Sequence, residues 1–132
     1  MTENLYTRGQ LERKISQEIQ SFYYHDLGHR PSRVTCQIFD AKLAIIIDDS
    51  FTKVEKILID EGKIDLAENV HSSLNNLIQS QLRQLIEKFT EVEVVDFLSD
   101  FTLSTERTGI IAILSDIPQV RNPNSIPKIK NI

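Results

Sequence analysis

Any chemistry in this chain has to come from three histidines, a single cysteine and a few paired acids. His25 and His29 stand four apart with Asp26 between them, a spacing that chelates zinc when both imidazoles share one helix face. Gly28 is placed to end the helix before His29, and two neighbouring donors are fewer than the three a zinc site takes. The expectation is therefore two surface histidines near a helix end. His71 falls beside an apolar helical stripe, the place of a half-buried helical histidine. Cys36 alternates with Val34 and Ile38, which puts its thiol on the core face of a strand as a small hydrophobe. One cysteine also excludes an internal disulfide and a thiolate metal cluster. Asp48, Asp49, Asp96 and Asp100 could do acid–base work, sense a small ligand or hold a hard cation. Acids at strand ends and along strands also serve turns and edge protection, and that reading is favoured. Four scattered glycines make neither a phosphate-binding loop nor a dinucleotide fingerprint. No catalytic residue, cofactor or metal site is assigned, and a non-enzyme is expected.

The elements that must carry these residues are readable from periodicity. Gln10 to Leu27 places Leu11, Ile15, Ile19, Phe22 and Tyr23 at helical spacing, with Gly28 as a left-handed stop and Pro31 preventing a restart. Arg33 to Phe39 alternates, Asp40-Ala41-Lys42 turns, and Leu43, Ile45 and Ile47 resume the alternation to Asp48. Ala44 and Ile46 make that second strand apolar on both faces, which belongs inside a sheet. Thr52 and Glu55 form a capping box that opens a short helix, ended by Gly62.

The long stretch from Asp65 to Phe89 carries Leu66, Val70, Leu74, Leu77, Ile78, Leu82, Leu85, Ile86 and Phe89 in one apolar stripe. Asp65 and Glu68 read as its N-terminal cap. Val92 to Phe101 and Gly109 to Leu114 are two further strands, the last apolar on both faces. The order α-β-β-α-α-β-β, without βαβ alternation, predicts a single α+β domain: an antiparallel four-stranded sheet packed by amphipathic helices.

At 132 residues and net charge −4, the chain fits one domain that buries a core unaided and lacks the concentrated basic face that nucleic acid needs. Its longest apolar run, Leu43 to Ile47, is far short of the ~20 residues that span a bilayer. No transmembrane segment or signal peptide is expected, and a cytoplasmic location follows as the default. Residues 117–132 differ from the 1–116 body. They hold Pro118, Pro123 and Pro127 and no acid, and Arg121, Lys128 and Lys130 leave the body at −7. The expectation is an extended, mobile basic arm with those three cations as partner-binding residues for an acidic protein. Three cations contribute only about 1 kcal/mol each at an anionic membrane, too little for stable anchoring.

The run LERKISQEIQSFYYHDLGHRPSRVTCQIFDAKLAIIIDDSFTKVEKILI resembles the start of the MpsC-like family, a domain of unknown function. The likeness rests on the Gly-x-x-Pro turn at Gly28 and Pro31 and on the threonine-started helix with Thr52, Glu55 and Lys56. It rests also on the order of elements from about Leu11 to Leu114. The resemblance implies a part in a bacterial membrane-potential-generating system, whose membrane subunit resembles ion-translocating subunits of respiratory complex I and whose large partner is tied to inorganic-carbon uptake. It implies an accessory or regulatory protein working through protein contacts, peripheral to the inner membrane. A homodimer is a further expectation, because an open sheet leaves edges for a second copy.

Overall fold

A computed structural model describes residues 5–128. Helix α1 spans Arg8–Leu27, strands β1 and β2 Arg33–Phe39 and Lys42–Asp48, helices α2 and α3 Lys53–Asp60 and Ile64–Thr90, and strands β3 and β4 Val94–Thr102 and Arg107–Leu114. The four strands form one antiparallel sheet in the order β1-β2-β4-β3, so the two strands that are apolar on both faces occupy its centre. This is the α+β architecture expected from the sequence.

Local chemistry accounts for the boundaries. Thr7 opens α1 with a capping box, its hydroxyl accepting from the Gln10 N–H while the Gln10 side chain returns to the Thr7 N–H. Gly28 closes the helix at φ 66°, a conformation that costs glycine nothing. Thr52 and Glu55 build the expected capping box on α2. Helix α3 departs from expectation, because it starts at Ile64 with Lys63 as an N-cap that makes no side-chain bond. The link from α2 leads straight into it, with the Lys63 N–H bonded to the Leu58 carbonyl and the Lys63 carbonyl accepting from Ala67. Asp65 instead lies in the first turn, where its charge favours the helix dipole.

Helices α1 and α3 cover one face of the sheet. Leu11, Ile15, Ile19 and Tyr23 from α1 meet Ile78, Leu82 and Ile86 from α3 over the inward residues Ile38, Leu43, Ile45, Ile47, Ile110 and Ala112. The buried stripe of α3 runs Ala67, His71, Ile78, Leu82, Ile86, Thr90, rather than through Leu66 and Leu77, which are 49% and 72% exposed. The helix has two apolar stripes in its first half, about 100° apart at 3.6 residues per turn, and only one faces the domain.

The proline-containing segment is the second departure. Through Lys128 it is extended but laid onto the body. The Gln119 N–H donates to the Thr90 carbonyl, Arg121 to the Tyr6 carbonyl and Asp40 to the Pro127 carbonyl, while Arg8 donates to the Asn122 side chain. Val120 and Ile126 are buried in the core, and Pro123–Ser125 forms one turn of 3-10 helix. Burying Pro118, Val120 and Ile126 and forming four hydrogen bonds with the body outweighs the absence of regular structure, so the mobile arm expected for residues 117–132 is not found over 117–128.

Candidate functional site

The most concentrated chemistry in the molecule is buried where α2, α3 and β4 meet. The capping box makes Glu55 the N3 residue of α2, so its carboxylate turns back toward Thr52 instead of out to water. One oxygen accepts from the Thr52 N–H at 2.9 Å and from the Thr52 hydroxyl at 2.7 Å. The other lies 2.5 Å from His71 Nδ1. His71 is presented by α3 one turn after Ala67, on the stripe that faces the domain. Its Nε2 is 3.3 Å from the Thr108 hydroxyl, which is 2.8 Å from the Ser50 hydroxyl, which in turn donates to the Glu106 carbonyl.

Ser50, Glu55, His71 and Thr108 are each at most 2% exposed. The Phe51 ring stacks flat on the imidazole with centroids 3.8 Å apart, and Phe101 meets it edge-on at 4.5 Å. Burial alone would push the Glu55 carboxyl up. The hydrogen bonds from His71 and Thr52, with the His71 charge, outweigh it and hold the carboxyl below its ordinary range. Burial, with the Glu55 charge adding to it, raises the Tyr23 hydroxyl far above the usual tyrosine value.

Hydroxyl, imidazole and carboxylate stand here in the order of a nucleophilic relay. A relay needs a face open to substrate, and this imidazole is closed off, with Phe51 stacked on one face, Phe101 at its edge and almost none of its surface exposed. Every buried polar side-chain atom among the described residues is satisfied. The arrangement works as a bolt: it fixes the short helix α2 against α3 and the end of β4 through directional bonds that apolar contact could not supply.

The other candidates lie outside this network, and of them His29 and Asp49 meet. Asp48 is held at 2.5 Å by Arg107, and Asp49 at 2.5 Å by Lys56, whose pKa that hydrogen bond raises. Asp96 and Asp100 are exposed, on the outward side of β3. Among the described residues no three His, Cys, Asp or Glu side chains gather as a metal site would require. His29 is bonded through Nε2 to the Asp49 carbonyl at 2.6 Å, beyond the Gly28 stop, and His25 is exposed on the last turn of α1. Burial, and after it the Glu12 charge, push the Cys36 thiol up to about 12, so it is inert at neutral pH.

Arg121 is exposed and donates to the Gln10 side chain at 2.9 Å, and Lys128 is exposed at the end of the strap. Lys130 lies outside the described residues. Pro31 is buried, its carbonyl accepting from Gln20. His71 is the residue that the sequence reading undervalued, as a half-buried bystander. The visible signal was the series Ala67, His71, Ile78, Leu82, Ile86, which keeps one face throughout.

With the geometry in place, comparison by family gives a decisive match. The family model described as "Na+-translocating membrane potential-generating system (MpsC)" matches residues 7–116, most of the chain. The chain belongs to the MpsC family. The match takes in the capped helix α1, the whole sheet and the Glu55–His71 bolt, and ends before the strap. No curated protein and no solved structure is significantly similar to the chain. For an MpsC-family chain one further structural fact matters. Among the described residues no helix is long and apolar enough to cross a membrane.

Proposed function

We propose that this MpsC-family protein is a non-enzymatic accessory or regulatory subunit that acts on a Na+-translocating, membrane-potential-generating assembly from its cytoplasmic side, through protein–protein contact. The observation that carries this reading is the family match over residues 7–116 to a system named for ion translocation, in a fold with no described membrane-spanning helix. The closed bolt supports it, since the best-organised polar groups are spent on rigidity. The exposed cations Arg121 and Lys128 sit on a strap held in place, which presents them at low entropic cost to an acidic partner.

The test is a native pull-down from gently solubilised cells, with the full chain as bait beside Arg121→Glu and Lys128→Glu variants. Recovery of a membrane assembly by the unaltered chain, reduced by the charge reversals, supports the proposal and assigns the contact to the strap. Recovery by all three baits moves the contact to the folded body. Recovery of nothing beyond the protein itself overturns the reading.

A further inference from the structure

The helices cover only one face of the sheet, and the other face is apolar at its centre. Register fixes which residues share it. Across the four strands the outward rows are Phe39–Lys42–Ile113–Asp96, Gln37–Ala44–Ile111–Leu98 and Thr35–Ile46–Gly109–Asp100, and beyond them a charged row of Arg33, Asp48, Arg107 and Thr102 closes the face. Ile46, Ile111 and Leu98 are 40%, 36% and 59% exposed, and none of the outward residues in these rows is buried. A central strand pair that is apolar on both sides has been kept where only one side is covered. Scattered exposed apolar residues need no explanation, but a contiguous set on a rigid sheet marks an interaction surface.

We propose that this face is a homodimer interface, in which a second copy of the chain packs sheet to sheet about a twofold axis parallel to the strands. Two complementarities on the face select that occupant and that axis. The first is size. The axis lies between β2 and β4 and brings each strand over the other's copy at the same row. Ile46 then meets the partner's Gly109, whose missing side chain leaves a shallow notch flanked by that chain's own Ile46 Cδ1, 3.7 Å from where a Cβ would stand, and Ile111 meets the partner's Ala44. Large opposes small at both central positions, as interdigitating sheets require.

The second complementarity is charge. Acids Asp96 and Asp100 lie on β3 at one edge, whereas Lys42 lies on β2, toward the opposite edge, in the same row as Asp96. The proposed axis sets the acidic β3 over the partner's β1 with Lys42 within side-chain reach of the partner's Asp96. An axis across the strands would instead stack the acidic edge on its own copy. The sheets would lie about 10 Å apart, with strand directions within about 30° of parallel. Four strands of about seven residues give a face about 20 Å by 23 Å, roughly 900 Å² over both copies. That is below the ~1,200 Å² of standard interfaces, so weak, concentration-dependent association is expected.

This inference concerns the purified protein alone and stands or falls independently of the accessory role. Sedimentation velocity across the micromolar range should show a concentration-dependent dimer. Ile46→Asp and Leu98→Asp should each abolish it while the circular dichroism spectrum and melting temperature of the monomer are kept, because neither side chain is in the core. Lys42→Glu should weaken the dimer at least tenfold, and adding Asp96→Lys to it should restore association. A chain that stays monomeric at the highest soluble concentration overturns the proposal. So does a dimer indifferent to Ile46→Asp and Leu98→Asp. Failure of the charge exchange to restore association overturns the twofold register.

Discussion

The two halves of α3 hold the domain together by opposite means. The second half lays Ile78, Leu82 and Ile86 on the sheet, where contact is apolar and without direction. The first half offers Ala67 and then His71, whose ring is gripped by Glu55, Thr108, Phe51 and Phe101. The helix is 27 residues, about 40 Å, while the nine-residue strand β3 that it runs along is only about 30 Å. At the end of the sheet's apolar face, where Phe101 and Thr108 stand, a short directional network takes over. Apolar packing tolerates small shifts, whereas the bolt permits one register of α2 on α3.

That comparison can be broken most sharply at the bolt. His71→Ala leaves the Glu55 carboxylate buried without its charge partner and should cost about 3–5 kcal/mol in urea unfolding. Leu82→Ala, in the apolar half, should cost about 2–5 kcal/mol through transfer and cavity terms. The halves then differ in additivity. Glu55→Gln combined with His71→Ala should fall short of the summed single losses by about 0.5–3 kcal/mol, while Leu82→Ala should add simply to either.

Acid separates the halves further. The Glu55 carboxyl is held below 4.5 in the folded chain, so the folded state binds fewer protons there than the unfolded chain. Its stabilisation is present above that value and is lost as pH falls through the lower folded value. The melting temperature should therefore drop below pH 4.5. That drop should be smaller in Glu55→Gln and undiminished in Leu82→Ala.

Smaller effects sharpen the picture. Thr52→Ala removes the α2 cap and one of the two Thr52 bonds that aim the Glu55 carboxylate, and should cost about 1 kcal/mol with a partial loss of the acid response. Leu77→Ala should stay within about 0.5 kcal/mol by thermal unfolding, because that side chain is 72% exposed.

Much of this fold was legible before any coordinates. Alternation placed β1 and β2, the two-sided apolar pattern marked β2 as internal, and β3 and β4 were legible as strands though their order in the sheet was not. Gly28 and the Thr52–Glu55 box located helix ends, since caps are local chemistry written within four residues. The phase of α3 was harder, because Leu66, Val70, Leu74 and Leu77 form a respectable stripe of which Leu66 and Leu77 face away while Val70 and Leu74 are half-buried at its border. The bolt was harder still. Glu55 and His71 are separated by 16 residues and His71 and Thr108 by 37, and no spacing rule joins a helix cap to a histidine on another helix. The strap escaped because Val120 and Ile126, isolated between prolines, show no period, yet each finds a hollow in the core.

The strap also sets a timetable. Its bonds to Arg8 and Gln10 reach across 114 and 111 residues of chain. Helix α1 therefore leaves the ribosome long before the strap that secures its leading end, and that end is fixed late, since contacts so distant in sequence close late. Until then the first turn of α1 relies on its own capping box and the Arg8–Glu12 ion pair to stay wound.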